Sequence, residues 1–553
     1  MAAPSPLLAA PKATLGTPFT YAIFRAIWIA GLVSNVGTWM QNVAGVWLVT
    51  TLTASALLVA LMQTAISLPA FLLSMPSGAL ADMVDRRRLL LFTQGFMAAV
   101  ATGLGALTLA GYASALGVLG FTFLLGMGAA LNAPIWQTVT TELVPRAVLP
   151  SAITLNGVSN NIARAIGPAV GGAIIAYYSA GWVFLLNGVS FLGTWAVVYC
   201  WKREAASTSG PAENFAGALR AGLRYVQYSP AIYGVLARTF AFSFGTAAMW
   251  GLVSVVVARK LHLSAGHYGA LLAWLGAGAV TGAFLMGRAG ARLGFNQRVL
   301  LGVLALAGTN AALALVTEIY VLYAVLFLAG IAWLMVMTSF STTVQLNVPR
   351  WVQARVIGIY MLVFQAGMSV GSLAWGELAD HFSLPIALLT AAGWMLASAL
   401  LAWPFPLRAA EGLDLAPAEP WPDPEAPGHA KIDPDDGPVV VMIAYRVEPA
   451  DWPAFRAAAE QLKRLRLRDG VLRAGVFSDV ANPALLTEFY YVATWGEHQR
   501  QHHRFTREDQ AVEARVRQFH RGPEEPRVTH FLAFPNTSNV EMATPLQMLE
   551  SQR

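Results

Sequence analysis

The chain has 553 residues, 56% of them apolar and only 12% charged, with a mean hydropathy of +0.54. That is about half the usual share of charge, too little to cover a soluble protein of this size, and the high hydrophobicity rules out disorder of the whole chain. A single cysteine, Cys200, excludes an intrachain disulfide and any multi-cysteine metal site. The sequence reads as a multi-spanning membrane protein.

Charge is uneven along it. Residues 1–408 carry a net +12 and residues 409–553 a net −6. Positive charge concentrated in the apolar part fits membrane orientation better than nucleic-acid binding. The opening Pro/Ala segment, residues 1–21, lacks a signal-peptide core and cleavage site, so the first span is expected to act as an uncleaved signal.

A helix needs roughly 20 apolar residues to cross the hydrocarbon layer. Segments of that kind lie near 22–50, 55–80, 88–111, 114–142, 150–178, 181–201, 231–258, 265–287, 297–316, 319–346, 353–379 and 383–404. A polar loop over 202–230 divides the twelve into bundles at 22–201 and 231–408. Placing the N-terminus inside puts 16 Lys and Arg residues in the inner segments and only Arg259 and Lys260 in the outer loops. Cytoplasmic loops carry excess basic residues, so both termini are expected in the cytoplasm. The halves look related: a shift of 204 superposes Pro145-Arg146 on Pro349-Arg350, Gly167 on Gly371 and Gly172 on Gly376. Such internal symmetry is expected of carriers whose repeats rock about a central site.

The loop after the second span reads Gly78-Ala-Leu-Ala-Asp82-Met83-Val-Asp85-Arg86-Arg87-Arg88. It resembles the signature of the major facilitator superfamily at Gly78, Asp82, Arg86 and Arg88, while Met83 and Asp85 depart from it. A charge pair here is expected to latch one state of a bistable element; the alternative is plain anchoring by the arginines. The fifth segment carries Asn156, Asn160, Arg164, Gly167 and Gly171 at helical spacing. A mid-membrane arginine must face water, a partner or a substrate, so Arg164 is expected on the path, against a structural pairing with amides or a carboxylate. Gly167-Pro168 and Gly171-Gly172 resemble the core of the superfamily's antiporter motif. The glycines permit close helix approach and Pro168 can bend the helix; packing alone is the other reading.

Further path candidates are Asn35, Trp39 and Asn42 in span one, Asn132 and Trp136 in span four, Arg238 and Trp250 in span seven, and Gln365 in span eleven. Amides beside large aromatics suit a bulky, partly polar ligand in a wide cavity, although any one Asn can instead bond between helices and Arg238 can snorkel to the surface. No Asp or Glu falls near the centre of a span. Proton coupling is therefore implied by the resemblance alone, and Asp82, Glu142, Glu377 and Asp380 are the carboxylates to test. No Lys follows a Gly, so the phosphate loop of an ATP-driven pump is absent.

Residues 409–437 hold six prolines and eight acidic residues and read as an extended linker. Residues 438–535 then show the order βαββαβ, that of a ferredoxin-like sandwich, followed by a tail at 536–553. This domain resembles the small dimeric α/β-barrel domains that include antibiotic-biosynthesis monooxygenases. His498 and His502 stand at i, i+4, a spacing that binds metal, but their helix is crowded with Arg, Glu and Gln and reads as a solvated face. No metal and no cofactor are expected; a homodimer or regulatory contact through this domain is.

The combination of a six-plus-six carrier with Arg468-Asp469-Gly470, Asp479-Val-Ala-Asn482-Pro483 and Trp495-Gly-Glu497-His498-Gln-Arg500-Gln501-His502 resembles the enterobactin-exporter-like, transmembrane secretion effector branch of the superfamily. The fold expected is an all-α, 12-helix membrane protein with a C-terminal α+β domain. The resemblance implies a multi-pass exporter of the bacterial inner membrane, moving siderophores, macrolides or other hydrophobic small molecules against protons, and not an enzyme. An importer on the same fold, and a membrane-anchored enzyme acting through the C-terminal domain, are the alternatives.

Overall fold

The computed structural model describes residues 16–145, 148–201, 215–289, 293–407, 414–416, 418 and 432–533, with side chains at all of these except 74–76, 78–83, 137–138, 141–142, 215–219 and 287–289. The chain divides into two compact units.

The first unit is helical. In chain order it contains α1 (Ala22–Leu52), α2 (Ala56–Met83), α3 (Arg86–Leu109), α4 (Ala115–Leu143), α5 (Leu149–Tyr177) and α6 (Ala180–Cys200). An amphipathic helix of the second unit, α7 (Phe215–Gln227), intervenes. Then follow α8 (Pro230–Val255), α9 (Ala265–Ala289), α10 (Phe295–Leu315), α11 (Ile319–Leu346), α12 (Arg350–His381) and α13 (Leu384–Ala399). Each segment expected to span forms one helix, with ends moved by a few residues. Local chemistry sets several starts: the Asp85 carboxylate accepts from Arg88 N at 2.9 Å to open α3, and Ser114 Oγ accepts from Gly117 N at 3.1 Å to open α4. Among the described residues, eleven helices are long and apolar enough to cross a membrane. Helix α5 is outside that set because Asn156, Asn160, Asn161 and Arg164 dilute its apolar run. The helix α7 was not expected in the central loop; it forms because Ala221 and Tyr225, one turn apart, share a buried face.

The second unit holds α7, residues 344–359 and the C-terminal domain. Its sheet comprises β1 (Val439–Arg446), β2 (Arg473–Ser478), β3 (Leu485–Val492) and β4 (Arg527–Leu532), all antiparallel, in the order β2-β3-β1-β4. Helix α14 (Trp452–Asp469) links β1 to β2. The long helix expected between β3 and β4 is two helices, α15 (Trp495–Arg504) and α16 (Arg507–Arg517). The break is chemical: Thr506 N donates to Asp509 Oδ2 at 3.0 Å and Asp509 N to Thr506 Oγ1 at 3.3 Å, a capping box that starts a new helix. Strand β1 alternates, so Val439, Val441, Ile443 and Tyr445 meet Phe455 and Leu462 of α14 and Val512 and Val516 of α16 in one core. The other sheet face leaves Phe477, Tyr491 and Phe531 exposed. Within the linker, the described stretch is packed: Arg507 N donates to Ala416 O and Ala418 N to Phe505 O.

Candidate functional site

A cavity of about 650 Å³ lies among α1 to α6, within the range of ligand sites. Helical spacing explains its lining. On α1, Asn35, Thr38 and Asn42 fall at i, i+3 and i+7, and on α5 Asn156 and Asn160 are one turn apart. With Gln41, Gln94, Asn132 and Asn187 they bring eight carboxamides to one cavity, beside the rings of Trp28, Trp136 and Phe191. Several are already paired. Asn156 Nδ2 donates to Thr140 Oγ1 at 3.0 Å, Asn187 Nδ2 donates to Gln41 Oε1, and Thr93 Oγ1 and Gln94 Nε2 converge on Asn132 Oδ1 at 3.3 and 3.4 Å. Gln94 Oε1 is buried and accepts from no donor among the described residues. Such a wall offers amide donors and acceptors to a ligand that carries both.

Six of the expected path residues, Asn35, Asn42, Asn132, Trp136, Asn156 and Asn160, line this cavity; Trp39, Arg164, Arg238, Trp250 and Gln365 do not. Arg164 lies one turn beyond Asn160, its guanidinium 5.4 Å from the Trp39 ring centroid, and its buried Nε has no hydrogen-bond partner among the described residues. Arg238 is structural: Nη1 donates to Asn296 Oδ1 at 2.7 Å and to Phe405 O at 3.2 Å, while Asn296 Nδ2 donates to Leu407 O. Trp250 stacks edge-on to Trp333, which also meets Phe242 and Phe364. Gln365, beside Phe364, is half-buried. Sequence reasoning missed Gln41, Gln94, Thr140 and Asn187. The signal for Gln41 was its place seven residues after Ser34 on the polar stripe of α1; Gln94 and Asn187 are single amides in largely apolar runs.

The two bundles meet tightly at the end where α1 and α12 finish. The Asp380 carboxylate caps α2 of the other half, accepting from Ser55 Oγ, Ala56 N and, at 3.1 Å, Leu57 N. Arg259, after α8, donates to Ala54 O at 2.7 Å and Thr53 O at 2.8 Å. Deeper in, Thr50 Oγ1 donates to Ser254 Oγ at 2.9 Å and Thr64 Oγ1 to Ser369 O at 3.1 Å. Helix α5 is approached closely on two sides. A Cβ at Gly171 would sit 3.0 Å from Met40 Cα of α1, and one at Gly172 would sit 2.8 Å from Gly269 Cα of α9. Gly167 packs on Trp39, and Pro168 is buried. Glu377 is exposed and lies 3.2 Å from His381. Of the loop motif, Arg86 and Arg88 are described; Gly78 and Asp82, like Glu142, lie outside the described side chains.

The model of the family described as "Transmembrane secretion effector" matches residues 13–538. The chain is 26% identical over 387 residues to the enterobactin exporter EntS of Shigella boydii serotype 4 (strain Sb227), covering 68% of this chain and 90% of the relative. It is 26% identical over 373 residues to the uncharacterised MFS-type transporter YfiS of Bacillus subtilis (strain 168), covering 65% and 87%. Among solved structures, a bacterial homologue of the human lysosomal transporter Spinster, in an inward-facing and occupied conformation, superposes with a TM-score of 0.57 at 14% identity, over 70% of this chain and 96% of the other. A bacterial homologue of the iron transporter ferroportin, inward-facing, gives 0.55 at 14% identity, over 69% and 97%. These likenesses show the fold.

Proposed function

From membership of the transmembrane secretion effector family of major facilitator transporters, to which this chain belongs, we propose a secondary active exporter that moves siderophore-like, macrolide or other hydrophobic small molecules by alternating access, coupled to protons. In this reading twelve spans cross the bacterial inner membrane as two six-helix bundles, with both termini in the cytoplasm. The tail is a ferredoxin-like domain, consistent with its strand order β2-β3-β1-β4, and its open sheet face is the surface for a homodimer.

One observation carries the proposal most: the carboxamide-lined cavity in one bundle, combined with hydrogen bonds between the bundles at the Asp380 end. Alternating access requires a central cavity and an end that can close over it, and this pair of features supplies both. The glycines of α5 let α1 and α9 pack close to it, so α5 can move against both. Arg164 is assigned to an anionic or oxygen-rich group of the substrate, because its guanidinium lies over the Trp39 ring and its buried Nε has no hydrogen-bond partner among the described residues. Asp380 is the carboxylate assigned to coupling, because it is held by groups of the opposite bundle.

The test is substrate accumulation in cells lacking other exporters, with siderophores, macrolides and cationic dyes, before and after collapse of the proton gradient. Accumulation should fall when the protein is present and recover on collapse. Arg164→Ala, at equal protein level, should abolish the difference. Accumulation that rises with the protein would make it an importer. No change for any compound, with the protein in the membrane, would overturn the transport of these classes.

A further inference from the structure

Among the described residues, none of the C-terminal domain lines the cavity of the helical unit, yet its signature residues converge on one spot. In Arg468-Asp469-Gly470, Arg468 Nε and Nη2 donate to Asp469 at 2.8 and 3.0 Å, and Nη2 also donates to Asp509 Oδ2 at 2.7 Å. Arg504 Nη1 donates to Asp469 O at 2.9 Å and pairs with Glu497 at 2.5 Å. Gly470 adopts φ +126, where a side chain is strained, and a Cβ there would lie 2.6 Å from Glu497 Oε1. All of these groups are buried or nearly so. A network this enclosed fixes the positions of its arginines.

Those arginines face elements that the sequence assigns to the carrier. Arg468 lies over the Tyr225 ring of α7, 5.3 Å from its centroid, and Arg504 over the Trp351 ring at the start of α12, at 4.6 Å. From the other side, Arg224 Nη1 donates to Gly470 O at 2.9 Å. Tyr225 is 2% exposed, meets Trp351 edge-on at 6.1 Å and donates to Asn347 O at 3.2 Å. Burial pushes its phenol well above the ordinary value, so it stays a donor. Gly222 packs on Arg355 and Ile359. Thus α7, the connection between the two bundles, and the entry to α12 are held in one clasp by the tail.

We infer that the C-terminal domain is an in-cis governor of the carrier: by clasping α7 and the start of α12, it biases the conformational equilibrium toward the form in which the Asp380 end is closed. Helix α12 is the link. It is one unbroken helix of 32 residues, about 48 Å long, with Trp351 in its first turn and Asp380 in its last. Whatever holds its entry at Trp351 restrains its exit, where Asp380 caps α2. A domain that binds one state and not the other shifts the balance by its differential binding free energy.

The inference rests on the alternating-access reading for the meaning of opening, but attachment of the tail is measured apart from transport. The test uses full-length protein with Cys200→Ser and a protease site inserted in the linker. After cleavage in detergent, the tail fragment should stay with the membrane fragment. In Arg224→Ala/Tyr225→Leu it should be released at least about tenfold faster, the loss of one cation–π contact and one charged hydrogen bond. Trp351→Leu approaches the clasp from the other helix and should release it as well, whereas Tyr225→Phe, which keeps the ring, should retain it. In uncleaved protein, Thr64→Cys reports opening at the Asp380 end, because that position is buried against Ser369. Its maleimide labelling should quicken by about threefold or more in both clasp variants, a modest population shift. A fragment that stays bound in both variants overturns the clasp. Release without faster labelling overturns the governing role. Failure of every transport assay alongside faster labelling would sink the exporter reading and leave the governor standing.

Discussion

Removing the Asp380 carboxylate should open the end of the bundle that it closes. In the structure it supplements the Ser55 N-cap of α2 from across the bundle interface, accepting from Ser55 Oγ and from the first-turn backbone N–H groups of Ala56 and Leu57. Losing an N-cap acceptor costs about 0.5–2 kcal/mol, and losing a negative charge from a helix N-terminus costs a further 0.3–1 kcal/mol or so. About 2 kcal/mol is therefore lost by the closed form alone, a shift of about 30-fold. If the open form begins near 1%, Asp380→Ala raises it to about a quarter. Asp380→Asn keeps an acceptor but not the charge and should give an intermediate shift. The assay is pulsed electron paramagnetic resonance with spin labels at Leu52→Cys and Phe382→Cys, both exposed at this end, in the Cys200→Ser background. A second, longer distance should appear in Asp380→Ala. An unchanged distance distribution in a folded Asp380→Ala protein would refute the latch.

Gly172→Leu places a side chain where even a Cβ meets Gly269 at 2.8 Å; it should force α5 from α9, cost about 1–3 kcal/mol and lower the thermal midpoint in detergent, whereas Gly157→Leu, with open space around its Cβ, should not. Asn132→Leu leaves Thr93 and Gln94 without their shared acceptor and should weaken binding of any transported compound about tenfold, the loss of hydrogen bonds worth about 1 kcal/mol each, read as quenching of cavity tryptophans. The tail should loosen in acid. Burial, with His502 and His530 beside it, lowers His498 to about 3; a base depressed in the folded state contributes stability that is complete above the ordinary value near 6.5 and is lost as pH falls, by up to about 1.4 kcal/mol per pH unit. Protection factors of α15 amides against hydrogen exchange, taken relative to the intrinsic rate at each pH, should fall between pH 6.5 and pH 5 in the full-length protein, and His498→Leu should flatten that dependence.

Periodicity and apolar length place the helices, because a membrane span must satisfy its backbone internally and so must be long and continuous. The polar stripes of α1 and α5 are legible for the same reason: Asn35 and Asn42, or Asn156 and Asn160, recur at helical spacing. Gln94 and Asn187 are not, since one amide in an apolar run carries no direction until its neighbours are known. Arg238 reads like Arg164 in sequence; only the presence of Asn296 and Phe405 beside it distinguishes an anchor from a path residue. The split of the last tail helix was present in Phe505-Thr506-Arg507-Glu508-Asp509, a capping pattern inside a helical run. The clasp was hidden for another reason. It joins residues more than 240 positions apart, Arg224 and Gly470, and no spacing rule reaches that far.

The two bundles divide their chemistry unequally. The first keeps its carboxamides around open volume, while the second gathers rings, with Trp250 and Phe364 edge-on to Trp333 and Phe242 tilted against it. Amides impose direction on a ligand, and aromatic faces supply contact area without it. A carrier built this way is suited to orient a substrate on one bundle and slide the other past it. Changes of specificity should therefore map to α1, α3, α4 and α5, and changes of rate to α12, whose two ends are held by Arg504 and by the cap of α2.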